Sequence, residues 1–120
     1  MENLEKNVKE FEKEFGEILA PVKFLLEKDP KLCASFLKLH DIALKDGVIS
    51  KKVKFLIHAA ITASKNDLES TIMHLIGAIR AGATEVEIFE TAVTIIPVAG
   101  MPSFGTFLSA WNKALQKLEK

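Results

Sequence analysis

Apolar side chains recur every three or four residues along nearly the whole chain, and strict alternation appears nowhere. That is the period of a helix with one buried face, whereas a half-buried strand needs a period of two. The sequence therefore predicts an all-α protein. Leu4, Val8, Phe11, Phe15, Ile18, Val22 and Leu25 step by alternating fours and threes, as in the seam along which helices pair. Gly16 and Pro21 interrupt the pattern, so residues 1–28 are expected to form two short helices or one kinked helix. Such an arm either covers the domain's own core or packs on another subunit.

Punctuation divides the rest, 29–118, into a helical core. Asp29 can cap a helix that starts at Pro30, runs to about residue 46 and stops at Gly47. Ser50 caps the next, over 51–64, in which Val53, Leu56, Ile57, Ala60 and Ile61 make one apolar stripe expected to face inward. Phe55, His58 and Thr62 lie off that stripe, and an exposed Phe55 would call for a second burying surface, most simply another subunit. A helix from Asn66 or Asp67 buries Leu68, Ile72, Leu75, Ile76 and Ile79, and gathers Asp67, Ser70, Thr71 and His74 into a polar ridge on its opposite side.

Thr84 and Glu87 then form a capping box. The apolar run Val86, Ile88, Phe89, Ala92, Val93, Ile95 and Ile96 predicts the most buried helix of the fold, bent or ended at Pro97. The stretch PVAGMPSF interrupts the chain, and Ser103 offers a cap for a last helix carrying Phe107, Leu108, Trp111, Leu115 and Leu118. The count is six or seven helices in a single domain over 1–120.

Several function classes are disfavoured. Sixteen basic residues balance sixteen acidic ones, which argues against binding nucleic acid by neutralising phosphates. Cys33 is the sole cysteine, so neither an intrachain disulfide nor a redox thiol pair is available, and it reads as a core residue. The start MENLEKNVKEFEKEF lacks the apolar centre of a signal peptide, and no run approaches the ~18 apolar residues of a membrane span. A soluble, cytoplasmic protein without membrane contact is the expectation.

Histidine is the remaining chemical resource. His74 reads either as an acid–base group, with an ordinary pKa of ~6.5, or as a ring satisfied by a hydroxyl or a backbone carbonyl at a helix contact. Asp67, Ser70 and Thr71 are the candidate substrate-binding neighbours. His58 is expected at an interface or the surface, and His40, beside Asp41, facing solvent. No His-x-x-x-His or Glu-x-x-His pair occurs, so no metal is expected, although His74 and Glu87 or Glu90 from neighbouring helices could meet. Lys51, Lys52, Lys54 and Lys65 read as a solvated face.

The run from Asp29 to Phe104 resembles the carboxymuconolactone decarboxylase and alkylhydroperoxidase-D-like superfamily. The resemblance rests on His74 followed by AIRAGATEVEIFE and on the glycine–proline element of PVAGMP. It implies an alkylhydroperoxidase-D-like helical bundle that assembles with itself, as a trimer or hexamer. The superfamily's peroxidase branch carries Cys-x-x-Cys, three residues, then His; matched on His74, the thiol positions fall on Asp67 and Ser70. Its relay glutamate, twelve residues before the first cysteine, falls on Phe55. A serine hydroxyl cannot replace an ionised sulfur that attacks peroxide and is then resolved by a second thiol, so peroxidase chemistry is not expected.

The decarboxylase branch has no such cysteine pair and uses no metal or organic cofactor. Resemblance to it implies a cofactor-free decarboxylase or isomerase with His74 as acid–base group, acting on a small organic acid or lactone. The alternative is a non-catalytic oligomeric binding or scaffold protein that kept the fold alone. Two departures bear on the choice. The neighbours Ile72, Met73, Leu75 and Ile76 make an apolar surround, and Arg80 sits on another side of the helix, poorly placed to clamp a carboxylate.

Overall fold

The computed structural model describes residues 2–15 and 19–119. Gly16 and Ile18, assigned above to the break and the seam of the arm, lie outside the described residues. Six helices and no strand occur among the described residues, as the periodicity predicts. The chain divides into two compact units, Met1–Lys45 and Asp46–Lys120.

The first unit holds α1 (Glu2–Phe15), α2 (Ala20–Lys28) and α3 (Pro30–Leu44), with α1 and α2 each packed on α3. Leu4, Val8, Phe11 and Phe15 are buried, so the four–three spacing does mark the inner face of α1. Asp29 serves two helices at once. Its N–H donates to the Leu25 carbonyl at 2.8 Å to close α2, and its carboxylate accepts from the Leu32 N–H at 3.1 Å to open α3. That arrangement supplies donors and acceptors that helix ends otherwise leave unmet. Cys33 is fully buried, its thiol 3.8 Å from the Val22 carbonyl, and burial pushes the thiol pKa up. It behaves as the expected core residue. His40 does not face solvent: it is half-buried, with the rings of Phe11, Phe15 and Phe36 centred 5.5, 5.5 and 5.8 Å from its own.

The second unit holds α4 (Lys51–Ser64), α5 (Leu68–Arg80) and α6 (Glu85–Leu118), each packed against the other two. The predicted caps are in place. Ser50 accepts from the Val53 N–H, and Thr84 and Glu87 exchange bonds of 2.8 and 3.1 Å. Asn66, in the left-handed region at φ 57°, ends α4 with its own N–H bonded to Ala63 and that of Asp67 to Thr62, a Schellman closure.

The structure reassigns two faces. Thr71 through Ala78 are all buried, so α5 is the central helix, and the run on α6 is only half inside. Ile88, Ala92 and Ile95 are buried while Val86, Phe89 and Val93 are exposed. On α4, Phe55 is 0% exposed and packs inward with Leu56, Ala59 and Ala63, whereas Val53, Ile57 and Ile61 are 40, 42 and 48% exposed.

The reason is small-residue packing. A Cβ built on Gly77 would lie 2.7 Å from Cε1 of Phe55, so the ring occupies space that only glycine leaves open. Close approach of α4 and α5 at this point turns the alanines and Phe55 inward and carries the larger aliphatic residues out.

The helix break also moves. The backbone leaves helical geometry at Gly100, at φ 86° and ψ 177°, and not at Pro97, a conformation essentially restricted to glycine. Ser103 does not begin the following segment as a cap but is buried, its Oγ 3.4 Å from the Ser64 carbonyl and from Asn66 Oδ1.

Candidate functional site

The polar ridge of α5 is not a surface ridge. His74 is 6% exposed and Thr71 0%, because α4 lays a matching set of polar groups against them. His58 Nδ1 lies 3.3 Å from His74 Nε2, with ring centres 4.9 Å apart and planes at 74°. Nearer the α4–α5 turn, Thr62 Oγ1 is 2.8 Å from Thr71 Oγ1. The two helices therefore share a short ladder of one histidine pair and one threonine pair.

Hydrogen-bond logic orients each rung. The Ser70 carbonyl is only an acceptor, and it lies 2.8 Å from His74 Nδ1. The proton therefore sits on Nδ1 and the lone pair of a neutral His74 on Nε2, which makes His58 Nδ1 the donor of the 3.3 Å contact. Likewise Thr71 donates to the Asp67 carbonyl at 2.7 Å, leaving its oxygen to accept from Thr62, whose single O–H also lies 3.2 Å from the Ala59 carbonyl. Burial lowers the pKa of His58 below its ordinary 6.5, because desolvation disfavours the cation. The two neutral rings thus share one proton, carried on His58 Nδ1; a further proton would make one of them an imidazolium, and a second would add like charges at close range.

The other candidates take distinct places. The Asp67 carboxylate accepts from the Ser70 N–H at 3.1 Å and caps α5. Ser70 contributes through its backbone carbonyl to His74, while Thr71 lies in the threonine rung. Glu87 is held by Lys52 at 2.8 Å and by Thr84, which lower its pKa in that order. Lys52 is therefore ion-paired and not merely solvated. The ring of Phe55, at the position matched to the relay glutamate, is centred 6.5 Å from that of His74.

His58, expected at an interface or the surface, is the partner of His74 across the α4–α5 contact. Its signal was present: His58 and Thr62 are four apart, His74 and Thr71 three apart, a spacing that lets two antiparallel helices meet rung to rung.

An open groove of about 560 Å³ lies between α4 and α6, lined by Val53, Ile57 and Ile61 on one side and Glu87, Glu90 and Thr91 on the other. A helix turns about 100° per residue, so the groove face of α4 is nearly opposite its histidine face. The groove is not the vestibule of the histidine pair.

The model of the carboxymuconolactone decarboxylase family matches residues 30–113. A search of curated proteins finds no match. Among solved structures, a protein provisionally named a carboxymuconolactone decarboxylase from Burkholderia xenovorans LB400 superposes with a TM-score of 0.84 at 22% identity, over 97% of this chain and 91% of that one. The apo form of a carboxymuconolactone decarboxylase family protein from Legionella pneumophila does so with 0.73 at 26% identity, over 88% and 96%. With 84 of its 120 residues inside the family model, the chain belongs to the carboxymuconolactone decarboxylase family.

Proposed function

We propose that this protein is an acid–base catalyst of the decarboxylase or isomerase type, acting on a small organic acid or lactone without a redox thiol or organic cofactor. The observation that carries the reading is the His58–His74 pair, with His74 held by the Ser70 carbonyl at 2.8 Å. Loss of a carboxyl group or migration of a double bond needs a proton placed or removed near neutral pH. A histidine fixed in one tautomer and coupled to a second ring is suited to that. The proton exchanged with substrate is shared between His58 and His74. The ring of Phe55, centred 6.5 Å from that of His74, and the buried apolar neighbours Met73, Leu75 and Ile76 along α5 favour a weakly polar substrate over a dianion.

The test is a panel of unsaturated lactones and small carboxylic acids, followed by ultraviolet absorbance and carbon dioxide release, with wild type and His74→Gln in parallel. Circular dichroism checks that the variant folds. Turnover in the wild type, lost in a folded His74→Gln, supports the reading, and no turnover across the panel counts against it.

A second reading, a non-catalytic oligomeric protein, is favoured by a different observation. Val53, Ile57, Ile61, Val86, Phe89 and Val93 leave an apolar face on α4 and α6 exposed, and faces of that kind mark association surfaces. Self-assembly is compatible with both readings. Light scattering should find more than one copy per particle, and Ile57→Glu with Val93→Lys should dissociate it without loss of helix.

A further inference from the structure

We propose that His58 and His74 together form a binding site for a divalent transition-metal ion of the zinc class. Both ligands lie in the Asp46–Lys120 unit, one on α4 and one on α5. Two zinc–imidazole bonds of about 2.0–2.1 Å at a tetrahedral angle hold their nitrogens roughly 3.3–3.4 Å apart. The separation of His58 Nδ1 and His74 Nε2 is 3.3 Å, which matches that bite and is longer than the ~2.9–3.0 Å typical of a protein hydrogen bond.

The surroundings are those of a ligating histidine. His74 points Nδ1–H at the Ser70 carbonyl, 2.8 Å away, so Nε2 offers its lone pair to the ion. A second bond of this kind fixes ring and tautomer in metal sites generally. The rings are also held in advance, because Phe55, seated against Gly77, locks the α4–α5 spacing beside them. Burial favours the neutral form of His58, and a bound ion selects its Nε2–H tautomer, in which the Nδ1 lone pair is the one that ligates.

Imidazole nitrogens select zinc, cobalt, nickel or copper over magnesium and calcium, which prefer oxygen. A bound ion takes the lone pairs that would otherwise share a proton, so ion and proton exclude one another. The site therefore does not depend on the acid–base reading, and binding without turnover would separate the two.

The experiment uses the full chain. Zinc chloride, with magnesium chloride as control, is added in a thermal-shift assay of wild type, His58→Gln, His74→Gln and the double variant. Cobalt(II) absorbance reports coordination geometry. The expected result is a zinc-dependent rise in Tm and a visible cobalt band in the wild type, diminished in each single variant and absent from the double. No shift with zinc, or a shift of equal size in the folded double variant, overturns the proposal. Should the variants fail to fold, zinc-edge X-ray absorption of the wild type decides: at least two imidazole ligands uphold the site, and fewer overturn it.

Discussion

Helix α4 has two faces, and their polarity is the reverse of what a surface helix usually shows. Toward α5 it turns half-buried polar groups, His58 and Thr62, beside alanines and Phe55; away from α5 it exposes Val53, Ile57 and Ile61. The difference teaches that aliphatic size did not decide which face went inside. Close approach did: Ala59, Ala63, Gly77 and Ala78 let the backbones come near, and at that distance the histidine and threonine pairs satisfy one another. A buried polar group left unmet costs about 1–3 kcal/mol, so the ladder also ties the register of α4 against α5.

The sharpest way to break the contrast is Phe55→Ala. Removing a ring that is 0% exposed leaves a cavity against Gly77, and chemical denaturation should show a loss of about 3–5 kcal/mol. Next is Gly77→Ala, which forces a Cβ into the 2.7 Å gap to the ring. Overpacking of this kind costs roughly 1–3 kcal/mol, and adding Phe55→Leu should recover part of it in a double-mutant cycle. Thr71→Val keeps the shape but removes one rung, with an expected loss of about 1 kcal/mol.

Acidity probes the other rung. The pKa of His58 is lowered by burial below 6.5, so the unfolded chain takes up its proton first as the pH falls. Stability conferred by the neutral ring is complete above pH ~6.5, declines below it, and levels off once the folded pKa is passed. Denaturation midpoints of wild type and His58→Gln should converge on that account, the wild type showing the steeper decline on acidification. The smallest effect belongs to the outer face. Ile57→Gln, measured at a dilution where the chain is monomeric, should stay within about 0.5 kcal/mol of wild type. A large loss there would erase the distinction between the faces.

Helix positions, caps and the four–three seam of α1 were legible because they rest on local spacing: Asp29, Ser50, Thr84 and Glu87 all act where the sequence put them. Facing was less legible. The stripe from Val53 to Ile61 and the run from Val86 to Ile96 are apolar enough to be core by composition, yet which side turns inward depends on a partner helix. The place of His74 on α5 follows from local spacing, but its partner sixteen residues earlier lies on another helix. The inward turn of Phe55 is hidden for the same reason, since nothing local reveals the space above Gly77.

The break at Gly100 bears on a different matter, the lipid bilayer. By length and composition alone, α6 is apolar enough to cross one, and residues 91–112 carry no charged side chain. Gly100 divides that uncharged stretch into 91–99 and 101–112, roughly 14 and 18 Å long at ~1.5 Å per residue. A hydrocarbon core is about 30 Å thick, so neither piece reaches across. A single backbone torsion, open to glycine and closed to other residues, keeps the most apolar part of the chain from forming one continuous span.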